Sequence, residues 1–241
     1  MLKSSHVFDI GNSRVKVGEF QNGKLKKVNV FDLSQSQETP FVVDTPSIIS
    51  SVNKEYELEW VDFGIQPILF DRTCRLPIAL DYDTPATLGL DRIAGAAGAW
   101  LEFKGNDILL VDVGTCINYD FISNEGRFQG GVISPGIQLR FKSMHSYTSA
   151  LPDLTQSWKS INAALPGKST VACMHRGVIT GILSEIRGFI QHFKKDSHQM
   201  TVILTGGDAE VFESSLGEDI FVRPKIVLEG LNFILEHNVA V

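Results

Sequence analysis

Short apolar runs broken by turn residues occupy positions 5–10, 14–20 and 25–32 near the start of the chain, and positions 107–112, 116–123 and 127–133 near its middle. Runs of that length bounded by Gly, Asn and Asp predict β-strands. Helical patterns follow each set. Leu90 to Phe103 predicts a helix crowded with small residues, Ala94-Gly-Ala-Ala-Gly-Ala99. Ser169 to Lys195 predicts the longest helix, with Ser169 or Thr170 as its N-cap. Met200 to Leu204 predicts another strand, turned by Thr205-Gly-Gly207 into a helix from Asp208 to Ser214, and Glu229 to His237 predicts a closing helix. Residues 34–47 and 151–168 are polar, contain proline and read as loops.

The two strand sets resemble each other. Val7-Phe-Asp9-Ile-Gly11-Asn-Ser13 aligns with Leu110-Val-Asp112-Val-Gly114-Thr115, and Asp9 and Asp112 stand 103 positions apart, as do Gly23 and Gly126. Each copy reads as strand, Asp-apolar-Gly turn, strand, polar glycine turn, strand. Duplication predicts two α/β lobes, residues 1–105 and 106–241, facing a cleft to which each first strand delivers an aspartate at its C-terminal end. The glycine that follows lets backbone approach a ligand without a Cβ clash.

Composition narrows the class. The chain has 241 residues, enough for one large domain or two compact lobes, with 43% hydrophobic and 21% charged residues. That excludes disordered, collagen-like and disulfide-scaffold chains. A net charge of −6 argues against generic binding to nucleic acid or anionic membrane, and leaves room for a local basic site. Cys74, Cys116 and Cys173 are far apart, without a CxxC pair, and read as reduced thiols. Met1-Leu-Lys-Ser-Ser-His-Val-Phe-Asp9 lacks the apolar core of a signal peptide, and no apolar run approaches the ~20 residues of a membrane span. A soluble cytoplasmic protein is expected. The six histidines show no metal-ligand spacing, and neither a nucleophile elbow, a Walker A loop nor GxGxxG is present.

Several segments carry chemistry. Asp9-Ile-Gly11-Asn12-Ser13, at a strand end, can expose backbone N–H groups and a hydroxyl to phosphate, while Asp9 is placed to hold a phosphate-bound Mg²⁺. A β-turn capped by aspartate would use the same residues. Asp112-Val-Gly114-Thr115 supplies the equivalent set in the other lobe. Thr205-Gly-Gly-Asp208, between strand and helix, offers a glycine platform for a nucleoside, or is an ordinary strand–helix turn. Tyr82-Asp-Thr-Pro85 leads into Leu88-Gly-Leu-Asp91-Arg92, where Asp91 suits a general base and Arg92 a charge stabiliser, or Asp91 simply caps the helix. Phe128-Gln-Gly130-Gly-Val-Ile-Ser-Pro-Gly136 can form a pocket wall or a tight connection to a following helix. Cys173, Gly177 and Gly181 lie four residues apart on one helix face, which either packs on its own sheet or admits a second helix.

In order along the chain, Asp9-Ile-Gly-Asn-Ser13, Ile49-Ser-Ser-Val52, Tyr82-Asp-Thr-Pro85, Leu88-Gly-Leu-Asp-Arg92, Asp112-Val-Gly-Thr115, Gly130-Gly-Val-Ile-Ser-Pro-Gly136, Leu151-Pro152, Thr170-Val-Ala and Thr205-Gly-Gly207 resemble the type III pantothenate kinases. That family belongs to the actin-like, sugar-kinase-like superfamily of duplicated ribonuclease-H-like lobes. The resemblance implies that Asp9, Ile10, Gly11, Asn12, Ser13, Arg14, Val15 and Lys16 form the first ATP-phosphate loop, and that Thr115 contacts ATP. It implies Asp91 as proton acceptor for the pantothenate hydroxyl, with Tyr82, Gly89, Leu90, Arg92 and Thr170 as further pantothenate contacts. Asp112 would hold a monovalent cation, K⁺ or NH₄⁺, and Asp9 a Mg²⁺ through the phosphates. A homodimer with the pantothenate pocket at its interface is likewise implied. Two departures stand out: Ser13 replaces the family's usual Thr, and Cys116-Ile117-Asn118 replaces the Ala-Thr-Thr favoured after Gly114-Thr115.

The expected reaction is phosphorylation of pantothenate to 4'-phosphopantothenate, the first step of coenzyme A biosynthesis. Phosphoryl transfer asks mainly for alignment and charge neutralisation. Two alternatives are a phosphohydrolase on the same scaffold, using water as acceptor, and a non-catalytic regulatory or binding protein.

Overall fold

The computed structural model describes the chain except for residues 12–13, 33–40, 52–60, 196, 198, 218 and 240–241. The chain forms two compact units, one of residues 1–105, 125–129 and 225–241, the other of residues 106–124 and 130–224. Its elements run β1 (Ser4–Ile10), β2 (Arg14–Gln21), β3 (Lys24–Asp32), β4 (Phe41–Val43), β5 (Ser47–Ser51), β6 (Val61–Phe63), β7 (Ile68–Leu69), β8 (Ala79–Leu80) and helix α1 (Leu90–Glu102). There follow β9 (Asp107–Val113), β10 (Cys116–Ile122), β11 (Arg127–Pro135), α2 (Ile137–Ser146), α3 (Thr170–Lys194), β12 (Met200–Thr205), α4 (Glu210–Leu216), β13 (Ile220–Val222) and α5 (Ile226–Val239).

Sheet topology repeats between the units. In the first the strand order is β3-β2-β1-β5-β7, with β2 antiparallel to β1, and β5 and β7 continuing parallel. In the second it is β11-β10-β9-β12-β13, again with an antiparallel neighbour to the central strand on one side and parallel strands on the other. Strand for strand, β1, β2, β3, β5 and β7 correspond to β9, β10, β11, β12 and β13. This is the duplicated α/β fold expected from the 103-residue repeat. The first two residues of β11, Arg127 and Phe128, belong to the first unit and pair with Ala79 and Leu80 of β8.

Burial explains the strands. β9 reads Ile108-Leu-Leu-Val111 without polar interruption, and all four side chains are buried, as a strand covered on both faces requires. β2 alternates instead, burying Val15 and Val17 while Arg14 and Lys16 face out. Phe8, Ile10, Val15, Val17, Val43 and Val61 form one core, and β9, β10, β12, α2 and α3 enclose the larger core of the second unit.

The small-residue stripe of α1 is buried from Ile93 to Ala99 and packs against α5. A methyl at Gly98 would collide with the Ile226 carbonyl, and one at Gly230 with the Ala94 carbonyl. Ser5 Oγ of β1 donates to Asn232 Oδ1 of α5 at 2.6 Å, both residues being buried. Residues 225–241, read from sequence with the second lobe, therefore pack in the first unit, because α1 offers α5 a backbone-to-backbone seat.

The expected loop 34–47 contains β4 and runs into β5, with 34–40 outside the described residues. Loop 151–168 is irregular except for a 3₁₀ turn at Trp158–Ser160, whose Trp158 is buried. Among the described residues no helix is long and apolar enough to cross a membrane.

Candidate active site

Asp9 lies one residue before the end of β1, opposite Lys16 of β2 in the strand register. Lys16 Nζ is 4.0 Å from Asp9 Oδ2, and the β1–β2 turn is closed by Gly11 N–H donating to the Arg14 carbonyl at 3.0 Å. Burial is the main influence on the Asp9 carboxyl and raises its pKa. Lys16 pulls it back, and the charge of Asp91 pushes it up further. Two carboxylates expected to serve the same reaction are thus within electrostatic reach of one another, inside one unit. Asn12 and Ser13 lie outside the described residues.

Asp91 is exposed in the first turn of α1, its Oδ1 accepting from the Arg92 N–H at 2.9 Å. A side chain at Gly89 would crowd that oxygen. The preceding segment is fixed by Arg72, whose guanidinium donates to the Leu88 carbonyl, and by the burial of Leu88. Tyr82 and Arg92 meet on Phe128: the tyrosine ring sits edge-on at 5.9 Å and the guanidinium lies 5.5 Å from the ring centre. Leu90 and Tyr82 are half-buried and Arg92 is buried. Sequence reading missed Arg72 as the support of this segment, since nothing local links position 72 to position 88.

In the second unit three loops converge. Asp112, half-buried, lies one residue before the end of β9, the Gly114 N–H donates to the Cys116 carbonyl at 3.0 Å, and Thr115 is exposed at the turn. The Gly136 N–H donates to the Thr115 carbonyl at 2.9 Å, and a methyl at Gly136 would hit the Gly114 carbonyl. Gly206, at φ +99°, packs so closely that a Cβ would collide with the Val113 carbonyl, while the Asp208 N–H donates to that same carbonyl at 3.0 Å. Residues 112–115, 130–136 and 205–208, read separately in the sequence, are therefore one backbone-to-backbone assembly. Asp208 is held by Lys159 at 3.7 Å; burial raises its carboxyl and Lys159 opposes that. Thr170 is exposed as the first residue of α3, whose N-cap is Ser169, with its Oγ accepting from the Ala172 N–H at 3.2 Å.

The sequence pattern of the family described as type III pantothenate kinase matches residues 37–192. A type III pantothenate kinase of Cytophaga hutchinsonii is 40% identical over 237 residues, covering 97% of this chain and 99% of that one. The chain belongs to the type III pantothenate kinases. A second member, from Christiangramia forsetii, is 37% identical over 96% of this chain and 98% of its own. Among solved structures, a Campylobacter jejuni protein described as a Baf family transcriptional activator superposes with a TM-score of 0.61 at 20% identity, over 98% of this chain and 100% of that one. At that identity the likeness concerns fold. Membership makes the chain an ATP-using kinase with the actin-like, sugar-kinase-like fold.

Among the described residues no three His, Cys, Asp or Glu side chains cluster to enclose a metal. Mg²⁺ takes one or two carboxylates and completes its shell with phosphate oxygens and water, and the half-buried Asp9 is a carboxylate that could serve it.

The raised Asp9 pKa has a consequence for stability. The folded chain holds that proton more tightly than the unfolded chain does, so the stabilising contribution is present in acid and is lost as pH rises through the folded value. In metal-free buffer Asp9→Asn is expected to be more stable than the parent at neutral pH, with the gain vanishing below the ordinary carboxylate range. Urea unfolding across pH measures this, and equal midpoints at neutral pH would refute burial as the governing influence.

Proposed function

We propose that the chain transfers the γ-phosphoryl group of ATP to the primary hydroxyl of pantothenate, giving 4'-phosphopantothenate for coenzyme A biosynthesis in the cytoplasm. The observation that carries this reading is membership of the type III pantothenate kinases, with Asp9 near the end of β1 and Asp91 exposed in the first turn of α1 in one unit. Asp91 orients the pantothenate hydroxyl and accepts its proton as oxygen attacks phosphorus in line. A carboxylate suits that task, because the proton leaves late and the base mainly aligns the nucleophile. Arg92 and the amides of Gly89 and Leu90 offset the pantothenate carboxylate, and Tyr82 and Thr170 make further contacts.

For ATP, the turn from Asp9 to Lys16 is assigned to the phosphates, and the Thr115 hydroxyl is assigned as a further ATP contact. Mg²⁺, when bound, neutralises phosphate charge, and Asp9 is the residue that would hold it. Asp112 would hold a monovalent cation, because a carboxylate beside phosphate is repulsive unless positive charge lies between them.

The homodimer reading draws support from α3. Cβ positions built at Gly177, Gly181 and Gly188 meet only open space, so these glycines are not required by packing within the chain. A second copy of α3, approaching over small residues, accounts for them.

Three measurements test these assignments. Asp91→Asn is expected to keep the fold and ATP binding and to lose turnover by about 10²-fold or more, as when a positioned base is removed. A coupled ATP-consumption assay with and without pantothenate reads this; near-normal kcat removes Asp91 from the role, and pantothenate-independent consumption indicates a phosphohydrolase. Exchanging K⁺ for Na⁺ or a bulky organic cation at constant ionic strength should lower activity, and equal rates in all three salts would exclude the monovalent site. Gly177→Leu should overpack the α3 face at a cost of ~1–3 kcal/mol. It should shift sedimentation toward monomer and raise KM for pantothenate more than KM for ATP. A fully active monomer would sink the dimer.

A further inference from the structure

A compact ionic network sits beside the Asp112–Thr115 turn, built from four elements of the second unit. Glu185 of α3 accepts three charged or polar contacts. Tyr119 Oη of β10 donates to its Oε1 at 2.8 Å, Ser134 Oγ of β11 donates to the same oxygen at 2.6 Å, and Arg140 Nη2 of α2 donates to Oε2 at 2.7 Å. Arg140 also donates through Nη2 to Ser134 Oγ at 2.8 Å and through Nε to the Pro135 carbonyl at 2.7 Å. The Arg140 and Glu185 side chains are only 22% and 25% exposed, and Tyr119 is fully buried. Burial works to raise the Glu185 carboxyl, but the bonds from Ser134, Arg140 and Tyr119 prevail and hold it below its usual value. The Tyr119 phenol, pushed up by burial and by Glu185, stays protonated as a donor.

We infer that this network is a positioning clamp for the nucleotide turn. It bonds both the strand that follows Thr115 and the segment that leads into Gly136. Tyr119 lies on the strand that begins at Cys116, directly after Thr115, and Ser134 and Pro135 directly precede Gly136, whose N–H bonds the Thr115 carbonyl at 2.9 Å. A Cβ at Gly136 would collide with the carbonyls of Gly114 and Thr115, so this backbone is packed directly on the turn. The forked guanidinium fixes Ser134 and Pro135 at once, and Glu185 fixes the guanidinium, so displacement of either ion moves Gly136 and with it Thr115. A half-buried ion pair is weak evidence for stability, because desolvation offsets most of its attraction. Its geometric precision is what an apolar replacement would not reproduce.

The inference rests on the reading of Thr115 and its turn as a nucleotide contact, and the test separates the two. Glu185→Gln keeps the shape and removes the charge. It is expected to raise KM for ATP about tenfold, the effect of one lost charge-assisted hydrogen bond, while KM for pantothenate at saturating ATP changes less than about twofold. Arg140→Lys should behave alike, since an ammonium cannot reproduce the fork. Tyr119→Phe, which withdraws one of three donors, should give a smaller rise in KM for ATP and serves if Glu185→Gln does not fold. Variants that melt at lower temperature yet keep the parent KM for ATP have lost a structural contact only, and overturn the clamp. Thr115→Val is the control. If it weakens ATP while the clamp variants do not, the clamp alone fails; if it leaves ATP unaffected while they weaken it, the clamp stands and the role of the Thr115 hydroxyl falls.

Discussion

Holding carboxylates near the ends of central strands is the constraint on which the rest of the architecture depends. Asp9 is pushed toward its neutral form by burial and by Asp91, while Lys16, opposite it in the β1–β2 register, works the other way. In a chain without ligands this arrangement is unfavourable. Positive charge placed beside such a carboxylate would make it favourable, which is what the proposed cation roles of Asp9 and Asp112 call for.

The second requirement is backbone at close quarters. Gly136 and Gly206 stand where a side chain would collide with the Gly114 or Val113 carbonyl, and Gly206 also adopts φ +99°. Three loops are locked together by main-chain contact, leaving the Thr115 side chain outward at the turn. The glycines of α3 have a different cause. Gly177, Gly181 and Gly188 meet open space, so nothing among the described residues requires them to be small. The same residue type therefore carries two meanings, and only the surroundings distinguish them.

Most of the repeated framework was legible in the sequence, because each long element carries its own periodicity. The continuous run Ile108 to Val111, the alternation around Val15 and Val17, and the capped helix from Ser169 all signal locally. The short strands were not legible. β7 and β8 have two residues each, and β5 is Ser-Ile-Ile-Ser-Ser, too brief and too polar for a period-2 signal. The site was legible as separate motifs, and the convergence of 112–115, 130–136 and 205–208 was not, since it depends on β12 lying beside β9. Arg72, Glu185 and Arg140 were silent for the same reason: each acts through a partner 16, 51 or 45, and 45 positions away, respectively.

The placement of α5 shows how distant segments decide chemistry. Asp9 lies on β1 and Asp91 opens α1, yet the two elements are linked through the C-terminal helix. Ser5 of β1 is bonded to Asn232 of α5, and α5 meets α1 where Gly98 and Gly230 allow carbonyl contact. Glycines at that seat leave no compressible side chain between the helices, so the crossing has little slack. Helix α5 thereby packs against both the strand that carries Asp9 and the helix that carries Asp91, inside one unit.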